Sequence, residues 1–250
     1  MKLSAYVQAC LDNPKTKIEK QLELDDSDGD SVLCPAAILA TSKASEKAAV
    51  EYGMNLYWDS TKSQIKLGKL ISQSKATMVN LGSKTEVVKK DYIGDLHTHP
   101  YKLKMGEKAE MGFSAEDIDG FFKFPPNHMS LAVHIVISYH AVFMIIRRDL
   151  NIKLDEKNPW SGLPYDGAMI RETRDNHPQL KALMEDAYEI SETAKSAQAQ
   201  KAAWDKYAPK FAQELSATNR AMNIAMAQKK RYDYYHCANI KTKNAFVLIS

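Results

Sequence analysis

Two histidines separated by one residue stand at the end of a predicted strand, and this feature constrains the fold most. Tyr92–His99 is predicted to be a strand, and Pro100, which cannot donate a ladder hydrogen bond, ends it. Side chains alternate across a strand, so His97 and His99 are expected on one face, with Thr98 on the other. Two imidazoles on one face, where a strand ends beside a loop, are suited to bind a metal ion.

A second cluster of polar residues follows at the start of a predicted helix. Ser114–Phe122 begins with a serine suited to cap a helix, and Glu116 and Asp117 lie in its first turn, where acidic side chains are favourable. Asp117 is the candidate third metal ligand, and Asp119 is the alternative. Three protein ligands leave one tetrahedral position for water, and zinc would lower the pKa of that water to about 7. A nearby carboxylate could then take its proton.

The remaining elements around these two clusters predict an α/β protein. Apolar residues at helical or alternating spacing identify them. The predicted helices are a short one within Lys2–Leu24 and Ser42–Val50, and the predicted strands are Glu51–Trp58, Ile65–Ser72, Ala76–Leu81, Ser130–Ser138 and Ala141–Arg147. His134 and His140, in or beside the last two strands, are interpreted as a core and a hairpin-turn histidine with backbone partners.

The two polar clusters together resemble the signature of a known enzyme family. The segment HTHP, followed by Ser114-x-x-Asp117, is similar to the HxHP…SxxD motif of the JAMM (MPN+) zinc metalloproteases. The resemblance implies that His97, His99 and Asp117 bind zinc and that Ser114 helps to stabilise a tetrahedral oxyanion. The loop Tyr101–Phe113 is longer than the family's usual spacing and is placed where it could cover the site.

The same family uses a glutamate on an upstream strand as the general base. Glu51 begins the strand EYGMNLYW, which is similar to the family's glutamate-led strand after a helix. Glu46 is a weaker candidate because it is expected inside the preceding helix, and Glu86 is too close to the histidine strand. The resemblance therefore implies that Glu51 is the general base.

The chain divides into three predicted segments. Residues 1–41 form an N-terminal segment of helix and loop, 42–150 a JAMM-like catalytic core, and 151–250 a helix-rich extension. Within the extension, Leu180–Gln228 is predicted as two helices, and Ala245–Ile249 could return a strand to the core. The fold class that the resemblance implies is α/β: a mixed, curved sheet flanked by helices, in the cytidine-deaminase-like arrangement of MPN domains.

Composition argues against several partners and compartments. The net charge of +3 gives no reason to expect a nucleic-acid partner. No apolar stretch approaches the roughly 20 residues of a membrane span. The widely spaced Cys10, Cys34 and Cys237 predict neither a disulfide framework nor a cysteine zinc site. Because the first residues show no secretory signal, the expected location is the cytoplasm, or a target cell reached without a standard signal peptide.

The leading functional hypothesis is zinc-dependent hydrolysis of a peptide or isopeptide bond. The resemblance implies a protein or peptide substrate, such as the tail of ubiquitin or a ubiquitin-like protein, and a bacterial effector or toxin is one context that fits. Two alternatives remain open. One is a prokaryotic peptidase with another substrate, such as cell-wall peptide. The other is a non-catalytic MPN-like binding or assembly module that keeps relic ligands.

Overall fold

A computed structural model describes most of the sheet, the first two helices and part of the segments around them. The described residues are 1–24, 33–48, 51–72, 81, 85–99, 112–114, 117–118, 121, 129–138, 140–148, 232–243, 245–249 and individual positions between 182 and 228. Several predicted features lie outside these residues, namely the strand residues 76–80, Pro100, most of the loop 101–113, and Asp119.

Two helices and nine strands have defined bounds within the described part of the chain. The helices are α1 (Leu3–Asp12) and α2 (Pro35–Ala48). The strands are β1 (Gln21–Glu23), β2 (Tyr52–Asp59), β3 (Gln64–Leu67), β4 (Ile71–Ser72), β5 (Tyr92–His99), β6 (Leu131–Ser138), β7 (Ala141–Arg148), β8 (Asp233–Cys237) and β9 (Ala245–Leu248).

The strands form one mixed sheet that curls into a half-barrel. Its order is β1-β9-β8-β7-β6-β5-β2-β3, and β4 also pairs with β2. Strands β5 and β6 run parallel, whereas the other described strand pairs are antiparallel. A parallel pair needs a long crossover connection, and the residues between His99 and Leu131 supply it. The predicted α/β class with a mixed, curved sheet is confirmed.

Helix α2 begins earlier than the sequence pattern predicts. The expected start was Ser42, but the helix starts at Pro35, and the Ile38 N–H donates to the Cys34 carbonyl over 3.1 Å. Proline is favourable at the first helical position because its missing N–H has no partner there. Residues 35–40 form a short continuous apolar run, and periodicity alone does not distinguish such a run from a buried strand.

The predicted strand Ile65–Ser72 is two short strands. Strand β3 pairs with the far half of β2, with Trp58 opposite Ile65, and β4 pairs with its first residues, with Gly53 opposite Ile71. The strand predicted at the end of the chain, Ala245–Ile249, corresponds to β9. The predicted hairpin around residue 139 is formed by β6 and β7.

Helices α1 and α2 cover one face of the sheet. The buried positions of α1 recur at helical spacing, at Leu3, Tyr6, Val7 and Cys10. They belong to one hydrophobic core together with alternate residues of the central strands, such as Ile135.

The opposite face carries a second core. Phe113, Ile118 and Phe121 from the crossover connection pack there with Val136 of β6 and Tyr234 of β8. Because β6 is buried on both faces along its whole length, its sequence is apolar except for His134 and Ser138. Among the described residues, no helix is long and apolar enough to cross a membrane.

Candidate metal centre

Strand β5 presents His97 and His99 on the face that carries the second core. Both imidazoles are buried, with 5% and 6% of their surface exposed. Thr98 lies on the other face, where its hydroxyl donates to the Ser45 hydroxyl of α2 over 2.6 Å and accepts from the Tyr52 N–H over 3.0 Å. The predicted alternation of the three residues is therefore confirmed, and Thr98 ties the histidine strand to α2.

Ser114 begins the helix of the crossover connection, as its residue type predicts. The Ile118 N–H donates to the Ser114 carbonyl over 3.2 Å, which is the first hydrogen bond of the helix. The Ser114 Oγ accepts from the Asp117 N–H over 3.1 Å, and the Asp117 Oδ2 accepts from the Ser114 N–H over 2.7 Å. This reciprocal pair, which has the form of a capping box, orients the Asp117 carboxylate.

The three predicted ligands meet at the end of β5. The His97 Nε2 lies 3.1 Å from the Asp117 Oδ1 and 3.2 Å from the His99 Nε2, and the His99 Nε2 lies 3.4 Å from the Asp117 Oδ2. A tetrahedral zinc ion with bonds of about 2.0–2.1 Å separates neighbouring ligand atoms by about 3.3 Å. The separation of the two histidine nitrogens fits two ligands of one such ion, and one ligand atom from each of the three residues lies within 4.8 Å of the other two.

The ionisation of these groups also suits a metal. Burial lowers the pKa of His97, although the Asp117 carboxylate opposes this effect. Burial would raise the pKa of Asp117, but the charge and hydrogen bonds of His97 and His99 hold it well below its usual range. A neutral imidazole and an ionised carboxylate are the forms that bind metal ions.

A second histidine–carboxylate pair lies beside this centre. Asp95, on the same face of β5 as His97, is opposite His134 of the parallel strand β6 and forms an ion pair with its Nδ1. The His134 ring lies 5.1 Å from the ring of Phe113, 5.4 Å from that of Phe121 and 5.2 Å from that of His97. His134 is therefore buried, as predicted, and it interacts with both the carboxylate and the backbone of Asp95.

Two sets of three residues in this region could hold a metal ion. Asp95, His97 and His134 also bring their ligand atoms within 4.8 Å of one another, and they share His97 with the first group. Asp95 and His134 face each other as an ion pair. Burial would lower the pKa of His134, but the Asp95 carboxylate raises it, which favours an ion pair over a neutral ligand. The group formed with Asp117 is therefore the better metal centre.

Glu51 lies at the neighbouring strand end. It is 5% exposed and directly precedes β2, where Gly53 is opposite His97 of β5. The same antiparallel register, extended two residues beyond the Gly53–His97 pair, places Glu51 opposite His99. The two side chains would then lie on the same face of the sheet. Glu86 is elsewhere: its carboxylate accepts from the Tyr57 hydroxyl, near the opposite end of β5. The side chain of Glu46 lies outside the described residues.

The sequence pattern did not identify every residue around the centre. Asp95 is two positions before His97 and so on its face, which is a local signal for a further polar residue there. Asn219 and Asn223, which contact the segment before Ser114, carry no such signal because they lie more than 100 positions away in the chain.

No protein-family model matches the chain, and no curated protein is significantly similar to it.

Proposed function

We propose that this protein is a zinc-dependent hydrolase of the JAMM type, which cleaves a peptide or isopeptide bond on an MPN-like arrangement of sheet and helices. The observation that carries the proposal is the convergence of His97, His99 and Asp117: the two histidine nitrogens lie 3.2 Å apart, and they lie 3.1 and 3.4 Å from the two Asp117 oxygens. Three protein ligands leave a fourth position of a tetrahedral ion open, which is the arrangement of catalytic zinc.

The residues around the centre have separate roles in this proposal. Zinc in such a site supplies Lewis-acid catalysis and a nucleophile at neutral pH. Glu51 accepts a proton from the attacking water and passes it to the leaving amine. The Ser114 hydroxyl uses its oxygen as a helix cap, so its hydrogen is available to donate to a developing oxyanion.

The substrate that we propose is a protein or peptide, with ubiquitin or a ubiquitin-like protein as the first candidate. The protein would act in the cytoplasm, or in a target cell as a bacterial effector or toxin. A peptidase with a different substrate uses the same centre and differs only in which bonds are cleaved. A binding module with relic ligands differs more sharply, since it would hold metal without hydrolysis.

Metal content tests the first part of the proposal. The purified protein is expected to hold one zinc ion per chain, measured by mass spectrometry of the metal after dialysis. The His97→Ala variant should lose it, because two side-chain ligands bind zinc far more weakly than three. His140→Ala is the matched control, because this histidine lies in the β6–β7 turn. A wild-type protein without zinc, or an H97A variant that retains it, would contradict the proposed centre.

Cleavage of diubiquitin and of peptide libraries tests the second part. Glu51→Gln is expected to keep the zinc and to lose activity by about 10²- to 10⁴-fold, the usual contribution of a general base. Glu86→Gln makes the same chemical change away from the centre and should leave activity unaltered. Full activity of E51Q on a substrate that the wild type cleaves would exclude Glu51 as the base. Zinc binding without cleavage of any substrate would favour the binding module.

A further inference from the structure

Two asparagines of the C-terminal segment contact the segment that precedes the third ligand. The Asn223 Nδ2 donates to the Phe113 carbonyl over 2.9 Å and to the Asn219 carbonyl over 2.7 Å. The Asn219 Nδ2 donates to the Gly112 carbonyl over 3.4 Å. Both asparagines are buried, with 0% and 3% of their surface exposed, so these hydrogen bonds form away from bulk water.

Tyr232 determines which way the Asn223 amide faces. Its hydroxyl donates to the Asn223 Oδ1 over 3.0 Å, and only the oxygen of an amide side chain can accept this bond. The Nδ2 group is thereby directed at the Phe113 carbonyl. Tyr232 immediately precedes β8, which pairs with β7, so the amide is oriented by a residue attached to the sheet.

Other contacts hold the same two-residue segment. A Cβ atom added to Gly112 would lie 3.1 Å from the Tyr234 hydroxyl, which shows how closely the backbone approaches β8. The Phe113 ring is fully buried and lies 5.1 Å from the His134 ring. The segment is therefore anchored by both of its carbonyls and by a ring directly before Ser114.

The third ligand needs such an anchor more than the other two. His97 and His99 are held by the strand pairing of β5 on both sides. Asp117 instead follows a long connection, and the N–H and hydroxyl of Ser114 orient its carboxylate. Metal ligands must be held near their bonding positions before the ion arrives if binding is to be tight.

We infer that Asn223 is a positioning residue for the metal centre, a role that rests on the proposed function. It acts through the Phe113 backbone to place Ser114, and through Ser114 to place Asp117. The C-terminal extension thereby completes the metal centre, and Tyr232 supports it by orienting the Asn223 amide.

The test is the zinc affinity of the full-length chain, measured by competition with a chromophoric chelator. Asn223→Asp keeps the acceptor for Tyr232 and removes both amide donors, and it should weaken zinc binding by about 10- to 100-fold, as loss of a supporting hydrogen bond does. Tyr232→Phe is the milder second variant and should weaken binding less. Tyr6→Phe removes a buried hydroxyl that donates to Asp233, on the side of α1, and should leave zinc affinity unchanged.

A double-mutant comparison separates positioning from general damage to the fold. In an Asp117→Ala background, where two ligands bind zinc weakly, affinity is measured by direct titration at high zinc concentration instead of chelator competition. There Asn223→Asp should cause no further loss of zinc affinity, because its effect passes through Asp117. The cobalt-substituted N223D protein should also show a changed visible spectrum, whereas Y6F should not. Unchanged zinc affinity in folded N223D and Y232F, or an equal loss with and without Asp117, would overturn the inference.

The inference and the proposed function can fail separately. If the wild type binds zinc and cleaves a substrate while N223D and Y232F bind zinc as tightly, only the inference is wrong. If the variants weaken zinc binding but the wild type hydrolyses nothing, only the proposed hydrolase is wrong. A wild-type chain that binds no zinc contradicts both.

Discussion

Three carboxylates of this chain are distinguished by the partner that each one faces. Asp117 lies against two imidazoles at distances that fit a shared ion, whereas Asp95 forms a direct ion pair with His134. Glu86 accepts from the hydroxyl of Tyr57. The carboxylate of Asp117 is thus suited to metal binding, whereas those of Asp95 and Glu86 make structural contacts. The neighbouring side chains account for this difference.

The structural carboxylate Glu86 supports a prediction on pH dependence. Hydrogen bonds from Lys89 and Tyr57 hold its pKa below the usual value. Because the folded-state pKa is depressed, the stabilisation is fully present above the ordinary glutamate pKa of about 4.3 and is lost as pH falls through the folded-state value. Glu86→Gln should therefore lower the free energy of unfolding at pH 7 by about 1 kcal/mol and have progressively less effect towards pH 3.

Urea denaturation of the metal-free wild type and E86Q, in steps from pH 7 to pH 3, measures this difference. Metal-free protein is used so that zinc release in acid does not contribute. A difference that stays constant over the whole range would show that the carboxylate charge is not its source.

At the level of secondary structure, the parallel pair β5–β6 explains where the candidate centre lies. A parallel connection must leave the carboxyl end of one strand and return to the start of the next, which brings a helix across the sheet. The start of that helix, at Ser114, meets the end of β5 at His99. Sites in sheets with parallel strands commonly lie at this edge.

Ser114 has two roles that substitutions can separate. As a helix cap, Ser114→Ala should cost about 1 kcal/mol in the free energy of unfolding and Ser114→Gly only a few tenths. As an oxyanion donor, either change should reduce hydrolysis by the zinc-saturated protein by about 10²-fold or more. Ser114→Thr keeps the hydroxyl and should retain both functions in large part.

Chemical denaturation and initial rates on the substrate that the wild type cleaves provide the two measurements. The informative variant is S114G, because its helix start is barely weakened. Near-normal hydrolysis by S114G would assign Ser114 to capping alone.

At the level of the whole molecule, one sheet draws strands from all three predicted segments. Strand β1 from the N-terminal segment pairs with β9, and β8 from the C-terminal extension pairs with β7 of the predicted core. The first core likewise combines α1 with residues of β6 and β8. The central strands therefore depend on parts of the chain that precede and follow them by many residues.

This shared sheet predicts that the isolated segment 42–150 will not fold. Without α1, β1, β8 and β9, strand β7 has an open edge, and the first core loses α1 and the first half of α2 with Ile38. The fragment is expected to aggregate or to lack a cooperative urea transition, monitored by circular dichroism and size-exclusion chromatography. The full chain with the same purification tag is the control, and a cooperative transition of the monomeric fragment would contradict the prediction.

Sequence patterns predicted best the features that depend only on neighbouring residues, such as strand alternation and helix capping. The alternation of a strand placed His97 and His99 on one face and Thr98 on the other, because successive side chains always point to opposite sides. Capping chemistry identified Ser114 and directed attention to Asp117, because a cap and the third residue after it are adjacent in any helix start. These features needed only a few neighbouring residues to be specified.

Contacts between residues far apart in the chain could be seen only in the tertiary structure. The pairing of β2 with β5 sets Gly53 opposite His97 and so brings Glu51 to the histidine end of β5, and the crossover connection brings Asp117 to the histidines. The partner of His134 and the contact of Asn223 with Phe113 were also beyond any local pattern. The sequence by itself determined which side chains could bind a metal. Their distances of 3.1 to 3.4 Å arise only when sheet register and packing bring separate elements together.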